Sequence, residues 1–248
     1  MKIIPNYITI YSDNDIVVVN KKSGLLVAGD RWDPDAPRLD KLVEEEFGKI
    51  YAVHRIDKDT SGLVLYARNA DVHRSLSLAF QNREVNKVYH ALVYGRPMWD
   101  DLSVNLPLKV DGDDRHRTVV NKRFGKPSRT DFKLITIAGP FSWIECTLFT
   151  GRTHQIRVHL AENGLQIACD PLYSGNQKPI KLSEIKRSWR GDPFEERPLL
   201  SRLALHAYKL ELIHPVTGKP LSFIAPYWKD MDSLRKQLDK IFHLNPFI

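Results

Sequence analysis

The sequence predicts an α+β fold in a single domain whose strands supply most of the core. Three observations predict it. Short β-branched apolar runs bounded by turn residues recur along the 248 residues, a few stretches carry helical spacing between them, and no internal repeat or long linker divides the chain. Hydrophobic residues make up 42% of the sequence, enough for a sizeable core, and charged residues 27%, ordinary for a folded soluble protein.

Residues 15–20, Asp-Ile-Val-Val-Val-Asn, read as a short buried strand. Residues 39–47 are charged on one side and apolar on the other, a short amphipathic helix. Residues 62–67 are a second strand. Residues 70–82 read as a helix, with Leu76, Leu78, Ala79 and Phe80 expected on its buried side, and 88–94 return to strand. The middle, 106–129, is polar and turn-rich; from Lys109 to Arg129 seven Lys/Arg stand against three Asp. Strand character resumes over 130–137 and 143–149. A helix over 153–162 follows, with Thr153 as its cap, Ile156 and Leu160 on one face, and Asn163-Gly164 as its stop. A second basic stretch, 178–190, has five Lys/Arg against one Glu. Residues 203–213 and 221–225 form a hairpin around the turn at 214–220. A last amphipathic helix covers 230–242, or 229–243 at its widest.

The net charge of +7 fits a polyanionic partner and fits a merely soluble basic protein as well. Cys146 and Cys169 are too few for a disulfide framework and lack metal-ligand spacing, so both read as small core residues in a reducing compartment. The first six residues lack the pattern of a signal peptide, and no run of about 18 apolar residues exists to span a membrane. A cytoplasmic protein without membrane contact is expected.

Two segments carry chemistry. His54-Arg55-Ile56-Asp57-Lys58-Asp59-Thr60-Ser61-Gly62-Leu63 is a polar loop between two apparent strands, where scaffolds place active groups. A carboxylate beside Arg55, Lys58 and His54 sits in positive surroundings, ready to act as nucleophile or base. Asp57 or Asp59 fits a turn cap equally well. The second segment is Thr150-Gly151-Arg152-Thr153-His154-Gln155-Ile156-Arg157-Val158-His159-Leu160. It puts Arg152 near a helix N-terminus, where anions are favoured, and Arg157 one turn inside, able to reach a carboxylate bidentately. His154 and His159 are five apart, the wrong spacing for helical zinc ligands, so no metal is expected.

Together the two segments closely resemble the signature motifs of the RluA-type pseudouridine synthases, a His-Arg-Leu-Asp-x-x-Thr-Ser-Gly loop and a Gly-Arg-Thr-His-Gln-x-Arg-x-His segment about a hundred residues later. Ile56 stands where Leu is usual. Residues 17–25 resemble the family's first motif, with Lys22 in place of Pro. Lys87-Val88-Tyr89-His90-Ala91-Leu92-Val93-Tyr94-Gly95 resembles its tyrosine-bearing strand, and Asp170-Pro171-Leu172-Tyr173 and Leu205-His206-Ala207 match later signposts. The resemblance runs from about residue 10 to 226.

The resemblance implies a mostly antiparallel mixed sheet with flanking helices and a central RNA-binding cleft. It implies that uridine is isomerised to pseudouridine in rRNA or tRNA without cofactor. Asp57 matches the catalytic aspartate, which either adds to C1′ or takes the C2′ proton of a flipped-out nucleotide. Arg157 matches the arginine that pairs with that aspartate. Tyr89 matches the tyrosine that stacks on the flipped base, and Arg55 the residue that fills the gap the base leaves. His54, Thr60, Arg152 and His154 fall in the same motifs and are expected to bind substrate. Only about ten residues precede the first expected strand, leaving no room for the S4-like RNA-binding domain of many relatives. RNA contact is therefore expected from the basic stretches, with Lys122, Arg123 and Lys126 at their centre, in a protein that acts as a monomer. Two rivals are a non-catalytic RNA-binding descendant and a metal-dependent nuclease using Asp57, Asp59 and the Asp111/Asp113/Asp114 cluster; the latter reads better as a turn.

Overall fold

A computed structural model describes residues 5–29, 36–175 and 178–244. The four residues that open the chain, on which part of the leader reading rests, lie outside them. In chain order the first strands and helices are β1 (Tyr7–Ser12), β2 (Ile16–Lys21), α1 (Leu39–Phe47), β3 (Tyr51–Ala52), β4 (Ser61–Ala67) and α2 (Ala70–Gln81). Next come β5 (Asn86–Tyr94), β6 (Asp101–Asn105), β7 (Leu108–Lys109), β8 (Val119–Val120), β9 (Arg129–Ala138) and β10 (Phe141–Leu148). The chain continues through α3 (Gln155–Glu162), β11 (Gln166–Ile167), α4 (Leu182–Ile185), β12 (Leu205–Ile213), β13 (Pro220–Ile224) and α5 (Lys229–Phe242). The fold is α+β, and its sheet is mixed but mostly antiparallel.

The chain divides into two compact units, one running to Val88 and resuming over His206–Pro226, the other holding Tyr89–Leu205 and the chain from Tyr227. In the first, the strand order is β1-β2-β4-β12, with β3 added to β4 and β13 to β12. Ile16, Val18, Leu63, Leu65, Leu76, Leu210 and Phe223 are among the side chains of its core. Both faces of β2 and β4 are buried, which is why their sequences are continuous apolar runs rather than alternations. β12 runs parallel to β4, pairing His206 with Ser61 and Ala207 with Gly62. Gly62 has φ +113°, and a Cβ there would stand 2.6 Å from the Ala207 nitrogen, so only glycine lets the two backbones approach.

In the second unit the order is β5-β10-β9-β6, with β11 on β5. β9 and β10 form a long antiparallel hairpin whose register shifts between Trp143 and Ile144. The buried Trp143 ring stacks on Tyr227, centroids 5.6 Å apart, and the Tyr227 hydroxyl meets His90 Nδ1 at 2.7 Å. Cys146 and Cys169 are both buried and unbridged, as their spacing suggested. Among the described residues no helix is long and apolar enough to cross a membrane.

Several expectations change. β1 was missed: Tyr-Ile-Thr-Ile-Tyr-Ser is an edge strand with both faces partly wet, so it lacks an apolar run, and a bulge between Thr9 and Tyr11 blurs its period. β6 was missed for the same reason, its sequence being mostly polar. On α2, Leu78 is 49% exposed rather than buried. It lies about 200° around the helix from Leu76, and Val72, one turn before Leu76, takes the core position. The hairpin of β12 and β13 forms as expected, with Lys209 opposite Ile224 and Ile213 opposite Pro220. Its turn is closed by His214, whose Nδ1 accepts the N–H groups of Val216 and Thr217 while Nε2 donates to Asp13 at 3.0 Å. Asp13, Asp15 and His214 come close enough to suggest a cation site. Asp13 already accepts from Tyr11, Asp15 and Ile16, and both imidazole nitrogens are in use, so the group is a latch between β1 and the hairpin turn.

Candidate active site

The loop between β3 and β4 holds His54, Arg55, Asp57 and Thr60, and it is anchored through its backbone. Lys21, at the end of β2, is wholly buried, and its Nζ donates to the carbonyls of Lys22 at 3.0 Å and Lys58 at 2.8 Å. A buried ammonium is costly unless its donors are met, so this one commits the Lys58 carbonyl to a single position. Gly24 N–H donates to the same carbonyl at 2.8 Å, and Ser23 Oγ donates to the Asp59 carbonyl at 2.6 Å. Thr60 N–H closes a turn onto the Asp57 carbonyl at 3.2 Å. Ile56 packs inward, Arg55 is exposed and Asp57 is half-buried. The buried Thr60 hydroxyl has no hydrogen-bond partner among the described residues. Residues 17–25 therefore matter as the cradle of this loop, which their apolar sequence alone did not reveal.

His54 corrects one expectation. Its Nε2 accepts the Leu65 N–H at 3.0 Å, and its ring stacks on Phe80 with centroids 4.8 Å apart. Burial first, and then the Lys87 charge, push its pKa down to about 3. The imidazole is neutral at physiological pH and adds no positive charge beside Asp57; what it supplies is a tie from the loop to β4.

In the second unit, α3 begins at Gln155, and its N-cap is His154 in the left-handed conformation, φ +55°, not Thr153. No cap side chain accepts from the first turn. Gln155 braces the approach to the helix: its Oε1 accepts from Arg152 N–H at 3.0 Å and from the Thr150 hydroxyl at 2.7 Å. Its Nε2 donates to the Arg129 carbonyl and the Thr130 hydroxyl, both at 2.9 Å. The chain of bonds continues in one direction. Thr130 donates to His159 Nδ1 at 2.9 Å, His159 Nε2–H donates to Ser128 Oγ at 3.0 Å, and Ser128 donates to the Leu106 carbonyl. Every donor in it is satisfied with one tautomer of His159.

Arg157 is 3% exposed, and its bidentate carboxylate is Asp170: Nε lies 2.8 Å and Nη2 2.7 Å from the two oxygens. Asp170 also accepts from the N–H groups of Leu172 and Tyr173, which folds the 170–173 turn around it. The Tyr173 ring lies under the Arg157 guanidinium at 5.1 Å. Its hydroxyl accepts from Thr118 N–H at 2.9 Å and donates to the Thr118 carbonyl at 3.0 Å. His154 Nδ1 meets the same oxygen at 3.0 Å and must therefore be the donor there. The sequence marked residues 170–173 but gave Asp170 no role; the only signal was a lone acid ahead of a Pro-Leu-Tyr turn.

Tyr89 is buried on β5 and points to the face opposite His90. Lys122, Arg123 and Lys126 are all exposed on the turn after β8, and Arg152 Nε reaches their neighbour, the Pro127 carbonyl, at 3.3 Å. The 178–190 stretch is mainly surface, with Arg190 turned back onto the carbonyls of Arg187 and Trp189. The 111–114 segment is a turn, with Asp113 accepting the N–H groups of Arg115 and Arg117.

The neutral histidines make stability depend on pH. Burial pushes the His159 pKa down to about 4, and it lowers that of His90 as well. Unfolded, each would titrate near 6.5, so below that pH the unfolded chain binds more protons than the native one, and stability must fall as pH falls. The loss runs from about pH 6.5 toward the folded values, at no more than about 1.4 kcal/mol per pH unit for each group. Urea unfolding at pH 7.5 and pH 5.0 checks this; equal midpoints would sink it.

Comparison with known proteins gives consistent matches. Residues 15–162 match the family model described as RNA pseudouridylate synthase. The chain is 35% identical over 231 residues to ribosomal large subunit pseudouridine synthase D of Neisseria meningitidis serogroup B, covering 90% of this chain and 58% of that protein. It thus spans little more than half the length of that relative. It is 34% identical to the dual-specificity RNA pseudouridine synthase RluA of Haemophilus influenzae, covering 87% of this chain and 91% of that one. Among solved structures, human RNA pseudouridylate synthase domain containing 4 superposes with a TM-score of 0.69 at 25% identity, over 93% of this chain and 92% of the other.

Proposed function

The chain belongs to the RNA pseudouridylate synthase family, and from that premise we propose that it isomerises specific uridines in structured rRNA or tRNA to pseudouridine. The observation that carries this reading is the joint presence of both motif segments, each built into a rigid setting. One is a loop held at its backbone by Lys21, Ser23 and Gly24, and the other is a helix start whose polar side chains are consumed in one directed network. The family match runs through both compact units, which supports reading residues 1–248 as one catalytic domain.

In this reading the target nucleotide leaves its stack, at a cost of a few kcal/mol that is least in loops. Asp57 acts on the ribose, by adding to C1′ or by taking the C2′ proton, as the N1–C1′ bond breaks. The freed ring turns, C5 bonds to C1′, C5 gives up its proton and N1 gains one. Substrate and product are isomers, no redox change occurs, and neither cofactor nor metal is called for. Tyr89 supports the flipped ring, and Arg55 fills the gap in the RNA. Arg157, stiffened by Asp170, is the arginine of the catalytic set. Thr60, Arg152 and His154 hold the substrate, while His54 acts by tying the loop down. The relative named for the large ribosomal subunit supports rRNA as the first substrate to try. The enzyme is taken to work as a cytoplasmic monomer.

The test is carbodiimide-dependent reverse-transcription mapping of total RNA from a strain lacking the gene, treated with wild-type protein or with Asp57→Ala. A stop that appears with wild-type protein alone establishes the activity and names the uridine. Identical maps, with both proteins binding RNA tightly, would leave a binder in place of an enzyme.

A further inference from the structure

Phe124 is 65% exposed at the tip of the turn between β8 and β9. A single exposed aromatic is unremarkable; what distinguishes this one is how it is held and what surrounds it. Asn121 Oδ1 accepts the N–H groups of Arg123 at 3.1 Å and of Phe124 itself at 2.8 Å. The Asn121 carbonyl accepts from Gly125 N–H at 2.8 Å, and its own N–H goes to the Pro107 carbonyl at 2.9 Å. Leu108 and Lys126 exchange both backbone hydrogen bonds, at 2.9 and 2.8 Å. Gly125 has no room for a side chain, since a Cβ would stand 2.6 Å from the Pro107 carbonyl carbon. The backbone therefore fixes the ring in solvent, and the ordering cost of the turn is met before anything binds.

The surroundings are cationic. Residues 121–131 carry Lys122, Arg123, Lys126 and Arg129 against one acid, Asp131, which Arg129 already pairs. The Arg123 guanidinium lies 4.9 Å from the Phe124 ring centroid, and Arg152 joins the group through Pro127. A second cation–ring pair, Arg129 over Phe149 at 4.2 Å, joins this stretch to the end of β10. Aromatic rings interleaved with cations suit a nucleic-acid strand, because every base has a face to stack and every nucleotide a phosphate. A protein partner would need a broader apolar patch than one phenyl ring. An RNA duplex would offer phosphates but no open base face.

We propose that Phe124 is a stacking platform for an unpaired base of the RNA substrate, with Lys122, Arg123, Lys126 and Arg152 taking the phosphates beside it. The proposal rests on the RNA-modifying reading and deepens it: the platform selects a single-stranded flank, apart from the nucleotide that is chemically changed.

The experiment is equilibrium binding, by fluorescence anisotropy, of the full chain and its variants to two probes. One probe is a labelled oligoadenylate of about twelve nucleotides, and the other is an RNA duplex of equal length. Phe124→Ala should weaken single-strand binding about 5- to 100-fold, leave duplex binding and the salt dependence unchanged, and leave the melting temperature as it was. Phe124→Tyr should restore single-strand binding. Lys122→Gln should weaken both probes and reduce the single-strand salt slope by about 0.7. Single-strand binding unaltered in Phe124→Ala, or an equal loss on both probes, overturns the platform. No turnover is involved, so a chain that shows this pattern yet forms no pseudouridine keeps the platform and loses the enzyme. An active chain without the pattern does the reverse.

Discussion

Asp170→Asn should be among the most damaging single substitutions in this chain, lowering the unfolding free energy by about 3–5 kcal/mol. The reason is the guanidinium it leaves behind. Arg157 is 3% exposed, and both oxygens of Asp170 lie within 2.8 Å of its nitrogens, so neutralising the acid strips a desolvated cation of its bidentate partner. The same change weakens the 170–173 turn, where Asp170 accepts two backbone N–H groups. For a protein of this size the melting temperature should drop on the order of 10 °C. The double variant Arg157→Met with Asp170→Asn separates the causes. It removes the buried guanidinium as well, and it should recover part of the loss while leaving the turn's share. A double variant no more stable than Asp170→Asn would show that the cost lies in the turn and not in the ion pair.

The second large effect is chemical. Asp57→Asn keeps the shape of the side chain and the anchors of its loop, which act through backbone atoms of Lys58, Asp59 and Thr60. Folding and RNA affinity should therefore change little, while the single-turnover rate falls at least about 10³-fold. Release of tritium from RNA carrying C5-tritiated uridine reads that rate directly, because C5 exchanges its hydrogen for the bond to C1′. A variant that still releases tritium at near the wild-type rate would remove Asp57 from the chemistry.

Much of this was legible in the sequence because two kinds of signal were strong. Buried strands such as β2 and β4 are continuous apolar runs, and the loop after residue 53 and the segment after residue 149 resemble known motifs over consecutive residues. What stayed hidden depended on partners far along the chain. Nothing local tells that Lys21 would bury its ammonium on the carbonyl of Lys58, or that Asp170 would clasp an arginine 13 residues earlier. Thr153 looked like a helix cap because it has the right side chain, yet the helix starts two residues later with no capping side chain, and Gln155 reaches back only to brace the approach to it. His54 looked like part of a cationic cluster, and only the Leu65 N–H and the Phe80 ring reveal it as neutral. Edge strands such as β1 stay quiet because half their side chains face water.

The parallel pairing of β4 with β12 also sets an order of events during synthesis. Residues 61 and 62 leave the ribosome more than a hundred residues before residues 206 and 207, their partners in the sheet. At typical elongation rates that gap lasts on the order of ten seconds. Throughout it, β4, buried along its whole length in the finished fold, has an edge that only the two residues of β3 cover, at its far end. Chains stalled or cut before His206 should accordingly be the species that chaperones bind and that aggregate. The late arrival of one strand makes the interval before His206 the exposed stage in the production of this protein.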